Sequence, residues 1–138
     1  MDTVIVIMLK NKNTGFFEKE LISLTLTQYD EFIVNLFAEE ETNEKIDIHM
    51  KLSTQRDVLD WEYAAIYDCY DIDIDDNDIK SVEEVDDCFN PTWEFVFNYK
   101  DDSDYMENIV SKILLAHKEE LDKVYEIIKN KEKEYNEK

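Results

Sequence analysis

Glycine, proline and arginine are almost absent from this sequence, each occurring once in 138 residues. The single glycine, Gly15, excludes a glycine-rich loop of the kind that holds phosphate groups. The scarcity of glycine and proline also argues against long flexible linkers. Because Arg56 is the only arginine, a guanidinium clamp on a phosphate or carboxylate substrate has almost nothing to form it. The composition therefore offers little for binding a phosphorylated substrate.

Cysteine and long apolar segments are scarce as well. Cys69 and Cys88 are the only cysteines, and they do not form a Cys-x-x-Cys motif. Since the N-terminus carries no secretory signal, we expect reduced thiols in a cytoplasmic protein. The apolar run at residues 4–9 is too short to cross a bilayer, so we expect no membrane segment.

Acidic residues dominate the charge of the chain. The 35 Asp and Glu residues outnumber the 15 Lys and Arg residues, which gives a formal net charge of −20. Residues 1–111 hold 28 acidic and 8 basic residues, whereas residues 112–138 hold 7 of each. A surface this anionic repels nucleic-acid phosphates and anionic membranes. Basic proteins and metal cations remain as partners, and a role in solubility alone is the alternative.

The length and the apolar content predict one folded domain. Hydrophobic residues make up 43% of the chain, and 7 Phe, 8 Tyr and 2 Trp supply bulk for a core. A domain of this length buries about two-thirds of its unfolded surface. We expect a single domain over residues 1–130. Residues 131–138 are mostly charged, so we expect this C-terminal tail to fray.

Two strands joined by a turn are predicted at the start of the chain. Residues 3–10 are apolar and rich in β-branched side chains, and residues 16–26 resume a strand pattern. Residues 11–15 between them are typical of a turn, because Gly15 is free to take a positive φ. The pattern predicts a β-hairpin.

Residues 29–38 fit two patterns. Residues 45–52 alternate with period two and indicate a strand, and a hairpin that pairs 31–38 with 45–52 would give the first segment a partner. That pairing favours a strand, although a helix stays open. The helical stripe consists of Tyr29, Phe32, Ile33, Leu36 and Phe37, and the strand alternation consists of Phe32, Val34, Leu36 and Ala38.

Two helices follow from capping and periodicity. Thr54 with Asp57 has the pattern of a capping box, and Ser103 is a candidate N-cap for a long helix over residues 104–133. The first helix has a broad apolar face, which we expect to pack on the sheet. That face carries Val58, Leu59, Trp61, Tyr63, Ala65, Ile66, Cys69 and Tyr70.

The remaining segments complete the predicted fold. Residues 71–87 predict a polar, acidic connection with at most one helical turn near residues 82–88, and residues 92–99 predict another strand. We therefore predict the α+β class: an antiparallel sheet of about five strands, with a central helix and a long C-terminal helix packed on one face.

A stretch of twelve residues in the acidic connection can be aligned with a calcium-binding loop. Oxygen ligands at this spacing can encircle a hard cation. The stretch resembles an EF-hand but departs from it, because Asp78 replaces the glycine of the sharp turn and Lys80 replaces an apolar residue. A solvated acidic loop is the alternative. The candidate ligands are Asp73, Asp75, Asn77, Ile79, Ser81 and Glu84.

Catalytic side chains are not indicated. Cys69 and Cys88 adjoin apolar residues, where a cysteine usually acts as a small buried hydrophobe. His49 falls on the polar face of a strand, and His117 falls in the core stripe of the long helix. The carboxylates are numerous, and no pattern marks a desolvated pocket that would raise the pKa of a general acid. We predict a protein that is not an enzyme and has no cofactor.

Aromatic and acidic residues are the candidate partner-binding residues. Trp61 and Trp93 belong to an aromatic cluster that either fills the core or anchors a partner. Asp71, Asp76 and Asp78 lie in the most acidic segment and are candidate contacts for a basic partner. Because no basic residues interleave with the aromatic ones, direct nucleic-acid binding is not expected.

Two segments are similar to a group of small acidic bacterial proteins of unknown function. The first is residues 57–68, Asp-Val-Leu-Asp-Trp-Glu-Tyr-Ala-Ala-Ile-Tyr-Asp, and the second is residues 90–97, Asn-Pro-Thr-Trp-Glu-Phe-Val-Phe. With the opening strand and residues 13–17, the resemblance runs through most of the chain. It implies a bacterial, cytoplasmic protein and no particular activity.

Three hypotheses follow. The favoured one is a non-catalytic protein–protein interaction module with a strongly acidic surface. The second is a nucleic-acid mimic, whose carboxylates replace phosphates and block a basic DNA- or RNA-binding protein. The third is a calcium-binding module that uses residues 73–84.

Overall fold

A six-stranded mixed sheet is the frame of the structure, a computed structural model that describes residues 2–41 and 45–136. The strand order is β2-β1-β3-β4-β6-β5. In chain order the elements of the described residues are β1 (Thr3–Lys10), β2 (Phe17–Leu26), a 3₁₀ turn (Asp30–Phe32), β3 (Ile33–Glu40), β4 (Ile46–Ser53), α1 (Asp60–Cys69), β5 (Ile79–Val85), β6 (Thr92–Asn98), α2 (Ser103–Ile128) and α3 (Glu132–Asn136).

The first hairpin forms as the sequence predicts. β1 and β2 pair antiparallel from Thr3 opposite Leu26 to Lys10 opposite Phe17. At the turn, the backbone N–H of Gly15 donates to the carbonyl of Asn11 at 2.8 Å, and Gly15 has a φ of 77°. Only glycine takes that conformation without cost from a Cβ atom, so the position of the turn is set by Gly15.

The ambiguous segment after the first hairpin is a strand. β3 pairs antiparallel with β4, from Ile33 opposite Leu52 to Glu40 opposite Ile46. The strand interpretation and the predicted second hairpin are therefore confirmed. The helical stripe of the sequence reduces to one 3₁₀ turn, Asp30–Phe32, which buries Phe32 before β3 begins.

The sheet differs from the prediction in two respects. It has six strands in the described residues rather than five, and β1 and β3 run parallel, with Leu9 opposite Ala38 and Lys10 opposite Glu39. The extra strand is β5, which lies within residues 71–87, where the sequence predicted a connection with a helical turn. β5 is an edge strand with three charged residues among its seven, so its apolar alternation is weak.

Both predicted helices form, with different ends. α1 begins at Asp60 and not near Thr54, because the Glu62 carboxylate accepts a hydrogen bond from the Leu59 backbone N–H at 2.8 Å. Asp102, rather than Ser103, caps α2 by accepting from the backbone N–H of Tyr105 at 3.1 Å. α2 ends at Ile128, ahead of the predicted end near residue 133.

The helices cover one face of the sheet. β4 buries Ile48, Met50 and Leu52 on that face, whereas His49 and Lys51 alternate onto the opposite face. α2 supplies most of the helical side chains of the core. They are Met106, Ile109, Val110, Ile113, Leu114, Leu121, Val124 and Ile128.

The C-terminal end folds back on α1 as far as the described residues go. α3 contacts α1, and the Tyr135 hydroxyl donates a hydrogen bond to the Asp68 carboxylate at 2.8 Å. The prediction of a frayed tail includes residues 137 and 138, which lie outside the described residues, and it stays a prediction. In the part of the chain that is described, no helix has both the length and the apolar character needed to cross a membrane.

Candidate functional site

An extended acidic segment runs beside α2. The backbone N–H of Asp71 donates to the Glu120 carboxylate at 2.9 Å, and the Lys112 ammonium donates to the carbonyl of Asp75 at 3.3 Å. Eight helical residues separate Lys112 from Glu120, a rise of about 12 Å. Four extended residues span about 13 Å. The two anchors therefore hold residues 71–75 nearly straight and antiparallel to α2.

Burial alternates along this segment. Ile72 and Ile74 pack against the hydrophobic core. Asp71, Asp73 and Asp75 are exposed, and we call these three residues the acidic ridge. Because residues two apart in an extended chain are about 6.6 Å apart, the ridge presents a row of carboxylates at regular spacing.

The turn after the acidic ridge is fixed by its own hydrogen bonds. The Asp76 carboxylate accepts from the Asp78 backbone N–H at 2.9 Å and lies 3.3 Å from the Lys112 ammonium. That backbone hydrogen bond, aided by Lys112, lowers the pKa of Asp76. The Asp78 carboxylate accepts a short hydrogen bond from the Tyr105 hydroxyl and lies 3.5 Å from the Lys100 ammonium. Asp76 and Asp78 thus contact the fold itself, and only Asp71 of the three predicted acids is on the ridge.

Further acidic residues lie at the start of α2, which contacts the turn after the acidic ridge. Asp101, Asp102 and Asp104 are exposed at the start of α2, which the Tyr105–Asp78 hydrogen bond joins to the turn. Lys100 and Lys112, the basic residues here, already contact Asp78 and Asp76. Within residues 2–41 and 45–136, the carboxylates of Asp71, Asp73 and Asp75 form no ion pair and face solvent. 

The two tryptophans predicted to bind a partner differ in exposure. Trp93 is 2% exposed and stacks on Tyr70 with ring centroids 3.9 Å apart. Trp93 is therefore a core residue, and its prediction as a surface anchor is wrong. Trp61 is half-buried, and its buried indole nitrogen has no hydrogen-bond partner in the part of the chain that the structure describes. The aromatic pattern in the sequence could not separate the two, because each tryptophan falls in the apolar stripe of its own helix or strand.

The six candidate calcium ligands lie on three different pieces of backbone. Asp73 and Asp75 are on the acidic ridge, Asn77 is in the turn, and the other three are on β5. The helical turn expected near residues 82–88 is instead the end of a strand, which extends about 3.3 Å per residue. A helix–loop–helix unit is therefore not formed by these residues. Calcium binding itself stays a prediction. The three on β5 are Ile79, Ser81 and Glu84.

A second site lies on the sheet face that the helices leave open. The His49 Nε2 atom is 4.0 Å from Glu39 Oε1 and 3.7 Å from Glu41 Oε1. Across 2–41 and 45–136 these three residues are the one group of at least three His, Cys, Asp or Glu side chains whose ligand atoms all lie within 4.8 Å of one another. We call Glu39, Glu41 and His49 the imidazole–carboxylate cluster.

The neighbours of the imidazole–carboxylate cluster fix its geometry. The His49 ring stacks on Phe37 at 5.1 Å, and its Nδ1 atom is 3.6 Å from Glu94 Oε1. Lys12, from the turn between β1 and β2, makes a short hydrogen bond to Glu41 and lies 4.0 Å from Glu39. The hydrogen bond from Lys12 lowers the pKa of Glu41 and keeps that carboxylate ionised.

Sequence reasoning missed this cluster although it placed His49 correctly on a polar strand face. The ligands come together because Phe37 pairs with His49 and Glu39 pairs with Asp47 across β3 and β4. The predicted hairpin of 31–38 with 45–52 could have indicated the cluster, since residues on facing strands whose positions differ by two are diagonal neighbours. Only the register of the two strands shows that Glu39 and His49 have this relation.

The other histidine, His117, is part of the core. Its Nε2 donates to the Ser53 carbonyl at 3.0 Å, so its Nδ1 is the acceptor for the Tyr70 hydroxyl at 2.7 Å. Burial lowers the pKa of His117 to about 4, which keeps the ring neutral. Cys69 and Cys88 are half-buried free thiols. His117 is thus fully hydrogen-bonded inside the protein and faces no substrate.

The fold and the two surfaces define a small α+β protein with an acidic ridge and an imidazole–carboxylate cluster. The chain belongs to the family of unknown function DUF6762, which it matches over residues 1–136. This match bears out one part of the sequence resemblance, namely that the relatives have no known function. No curated protein and no solved structure matches the chain significantly.

Proposed function

We propose that this protein is a non-catalytic interaction module that binds a basic protein surface through the acidic ridge. The observation that supports the proposal most directly is the row of three exposed carboxylates, Asp71, Asp73 and Asp75, on a segment anchored at both ends. A cytoplasmic, bacterial setting belongs to the same proposal and agrees with two unpaired cysteines.

Rigidity of the acidic ridge favours binding. Ile72 and Ile74 hold the segment to the core, and Glu120 and Lys112 fix its direction along α2. A surface that is already ordered loses less conformational entropy when a partner binds. The carboxylates therefore present a preformed pattern rather than a mobile acidic loop.

Charge complementarity selects the class of partner. The net charge of −20 attracts positively charged proteins and speeds their encounter with this chain. Lys100 and Lys112 are engaged with the turn, so they do not neutralise the exposed side chains of the acidic ridge. A surface rich in lysine and arginine is the complement of this row.

The spacing of the acidic ridge favours a more specific second candidate, a mimic of nucleic acid. Backbone positions two residues apart in an extended segment are about 6.6 Å apart, so the acidic ridge presents regularly repeated negative charges, as the phosphates of one nucleic-acid strand do. On this hypothesis the partner is a DNA- or RNA-binding protein, and the acidic ridge occupies its phosphate-binding groove. The two candidates share one surface and differ in the shape of the partner.

Charge-neutral variants of the acidic ridge test the proposal. We expect Asp71→Asn, Asp73→Asn and Asp75→Asn together to weaken binding to oligolysine about ten-fold, since each exposed ion pair contributes about 0.2–1 kcal/mol. The matched control removes three scattered exposed charges, by Glu20→Gln, Glu31→Gln and Glu134→Gln. Fluorescence anisotropy at low and physiological ionic strength provides the affinities.

Two outcomes separate the ridge from general acidity. If the control variant weakens binding as much as the ridge variant, net charge alone attracts the peptide and the proposal is wrong. For the mimic, the wild-type protein should displace duplex DNA from a non-specific DNA-binding protein, and the ridge variant should not. If neither protein displaces the DNA, the chain does not act as a nucleic-acid mimic toward this DNA-binding protein. The general interaction module then remains as the proposed function.

A further inference from the structure

We propose that Glu39, Glu41 and His49 bind a divalent transition-metal ion, for which Zn²⁺ is the best match. One imidazole nitrogen and two carboxylate oxygens converge within 4.8 Å on the open face of the sheet. This site is separate from the acidic ridge in residues and in chemistry, so it does not rest on the proposed interaction module.

The distances are close to those that a metal ion requires. A zinc ion at about 2.1 Å from each of three ligands in a tetrahedral arrangement separates those ligands by about 3.4 Å. The His49 Nε2 atom lies 3.7 Å from Glu41 Oε1 and 4.0 Å from Glu39 Oε1. All three ligand atoms lie within 4.8 Å of one another, so the two glutamate side chains would have to rotate inward to bind one ion.

The state of the His49 ring points independently to a ligand. Among residues 2–41 and 45–136, its buried Nε2 atom has no partner within hydrogen-bond distance and lies 3.7 Å from Glu41 Oε1, although the side chain as a whole is 16% exposed. Buried polar atoms in proteins nearly always have a partner, so an unpaired nitrogen aimed at two carboxylates requires an explanation. A metal ion would supply it, because the imidazole nitrogen and the two carboxylates are then joined by one cation.

Glu94 has the position of an outer-shell carboxylate. Histidine ligands usually present their second ring nitrogen to a carboxylate, which fixes the tautomer and the ring orientation. The His49 Nδ1 atom is 3.6 Å from Glu94 Oε1, and Phe37 stacks on the ring from the neighbouring strand. Nδ1 is therefore directed to Glu94, while Nε2 is directed to the two ligand carboxylates.

Lys12 is the cation that contacts the site in this structure. Its ammonium bonds to Glu41 and lies 4.0 Å from Glu39, while its side chain is 53% exposed. A metal ion must displace this ammonium, and an exposed lysine at a turn can swing into solvent. Lys12 therefore competes with the metal ion. Removal of the Lys12 side chain should raise the affinity of the site for the metal.

The donor set favours a transition metal over calcium or magnesium. Ca²⁺ and Mg²⁺ select oxygen ligands, whereas an imidazole nitrogen suits Zn²⁺ and its neighbours in the first row. Three protein ligands leave a fourth position for water or a further group. We expect Zn²⁺ to bind more tightly than Mn²⁺, and Mg²⁺ to compete weakly.

Calorimetric titration of the full chain with Zn²⁺ tests the site. We expect one ion per chain, a large loss of affinity in His49→Gln and in Glu39→Gln, and no change in Glu40→Gln. Glu40 is the matched control, because it lies on the same strand, is exposed and loses the same charge. Equal binding by the Glu39 and Glu40 variants would show a general attraction of cations to an acidic protein and would overturn the proposal.

Two further variants test the detailed arrangement. Glu94→Gln should weaken Zn²⁺ binding about 10–100-fold, as expected for an outer-shell carboxylate. Lys12→Ala should strengthen it, because the competing ammonium is gone. Weaker binding in Lys12→Ala would contradict the assignment of Lys12 as a competitor and with it the position of the ion between Glu39 and Glu41.

A measurement on the wild-type protein tests the site even if the variants do not fold. In nitrogen-15 NMR spectra of the histidine rings, Zn²⁺ should shift the Nε2 resonance of His49 and leave both ring nitrogens of His117 unchanged. An unchanged His49 ring in the presence of bound Zn²⁺ would place the ion elsewhere and reject the site.

Discussion

The two histidines belong to opposite faces of the same sheet. His117 lies under α2 on the covered face, where Ser53 and Tyr70 satisfy both of its ring nitrogens. His49 lies on the open face, where Nε2 has no hydrogen-bond partner among the described residues and three carboxylates lie within 4.0 Å of its ring nitrogens. The comparison separates a ring whose two nitrogens are bonded inside the core from a ring that, on our proposal, binds a metal ion.

The sharpest contrast should appear when each ring is removed. His117→Ala should lower the free energy of unfolding by about 3–5 kcal/mol, because it leaves a cavity among Phe32, Trp93 and Phe95. His49→Ala should cost about 1 kcal/mol, as for a typical substitution outside the core. Urea unfolding followed by circular dichroism measures both, and equal losses would remove the distinction between the two faces.

Acid should separate the two rings by a second route. The pKa of His117 is lowered to about 4 in the folded protein from an ordinary value of 6.5, so the unfolded chain binds more protons between these values. The stability from the neutral ring is present above pH 6.5 and is lost as the pH falls to about 4, by up to about 3 kcal/mol.

The control for the acid effect is the difference between variants. The stability gap between the wild type and His117→Gln should shrink as the pH falls through this window, because the variant lacks the buried ring that gains a proton on unfolding. A constant gap for His117→Gln between neutral pH and pH 4 would mean that the ring is not held neutral by its burial.

Zinc should act on the open face alone. At a free Zn²⁺ concentration of about 100 times the dissociation constant, the wild type should gain about 2.7 kcal/mol of stability by mass action. His49→Gln should gain much less stability at that concentration. Glu40→Gln keeps all three proposed ligands, so it should gain as much stability as the wild type. Thermal unfolding with and without the metal measures the gain, and equal gains in both variants would contradict the site.

The smallest effect is expected at the acidic ridge. Asp71→Asn, Asp73→Asn and Asp75→Asn should each change the free energy of unfolding by no more than about 0.5 kcal/mol, because these side chains are exposed. Asp76→Asn should cost more, since that carboxylate bonds to Asp78 and Lys112. Denaturant unfolding of the four single variants provides the comparison, and a large loss at Asp73 would identify the ridge as structural.

Much of the fold could be predicted from periodicity and turn chemistry. The first hairpin follows from Gly15 and its flanking patterns, and α2 follows from a long apolar stripe. β5 was missed because an edge strand exposes charged residues and lacks a clear apolar face. The start of α1 was misplaced because the Thr54 hydroxyl bonds to the Arg56 carbonyl instead of capping a helix.

The candidate sites were less accessible to sequence reasoning. The acidic character of residues 71–78 was evident, but the alternation that exposes Asp71, Asp73 and Asp75 depends on Ile72 and Ile74 reaching the core. The imidazole–carboxylate cluster depends on the register of β3 with β4 and on Lys12 arriving from another hairpin. Local patterns carry no information on which hairpins become neighbours.

The parallel pairing of β1 with β3 has a consequence for the order of assembly. All three proposed ligands belong to one hairpin and its closing loop, so they can meet as soon as that short stretch folds. The ammonium of Lys12 reaches them only after the two hairpins dock side by side. On the proposed assignment, an ion that is present during synthesis can bind the two carboxylates and the imidazole before Lys12 contacts them. An ion that is added to the folded protein must first displace the Lys12 ammonium.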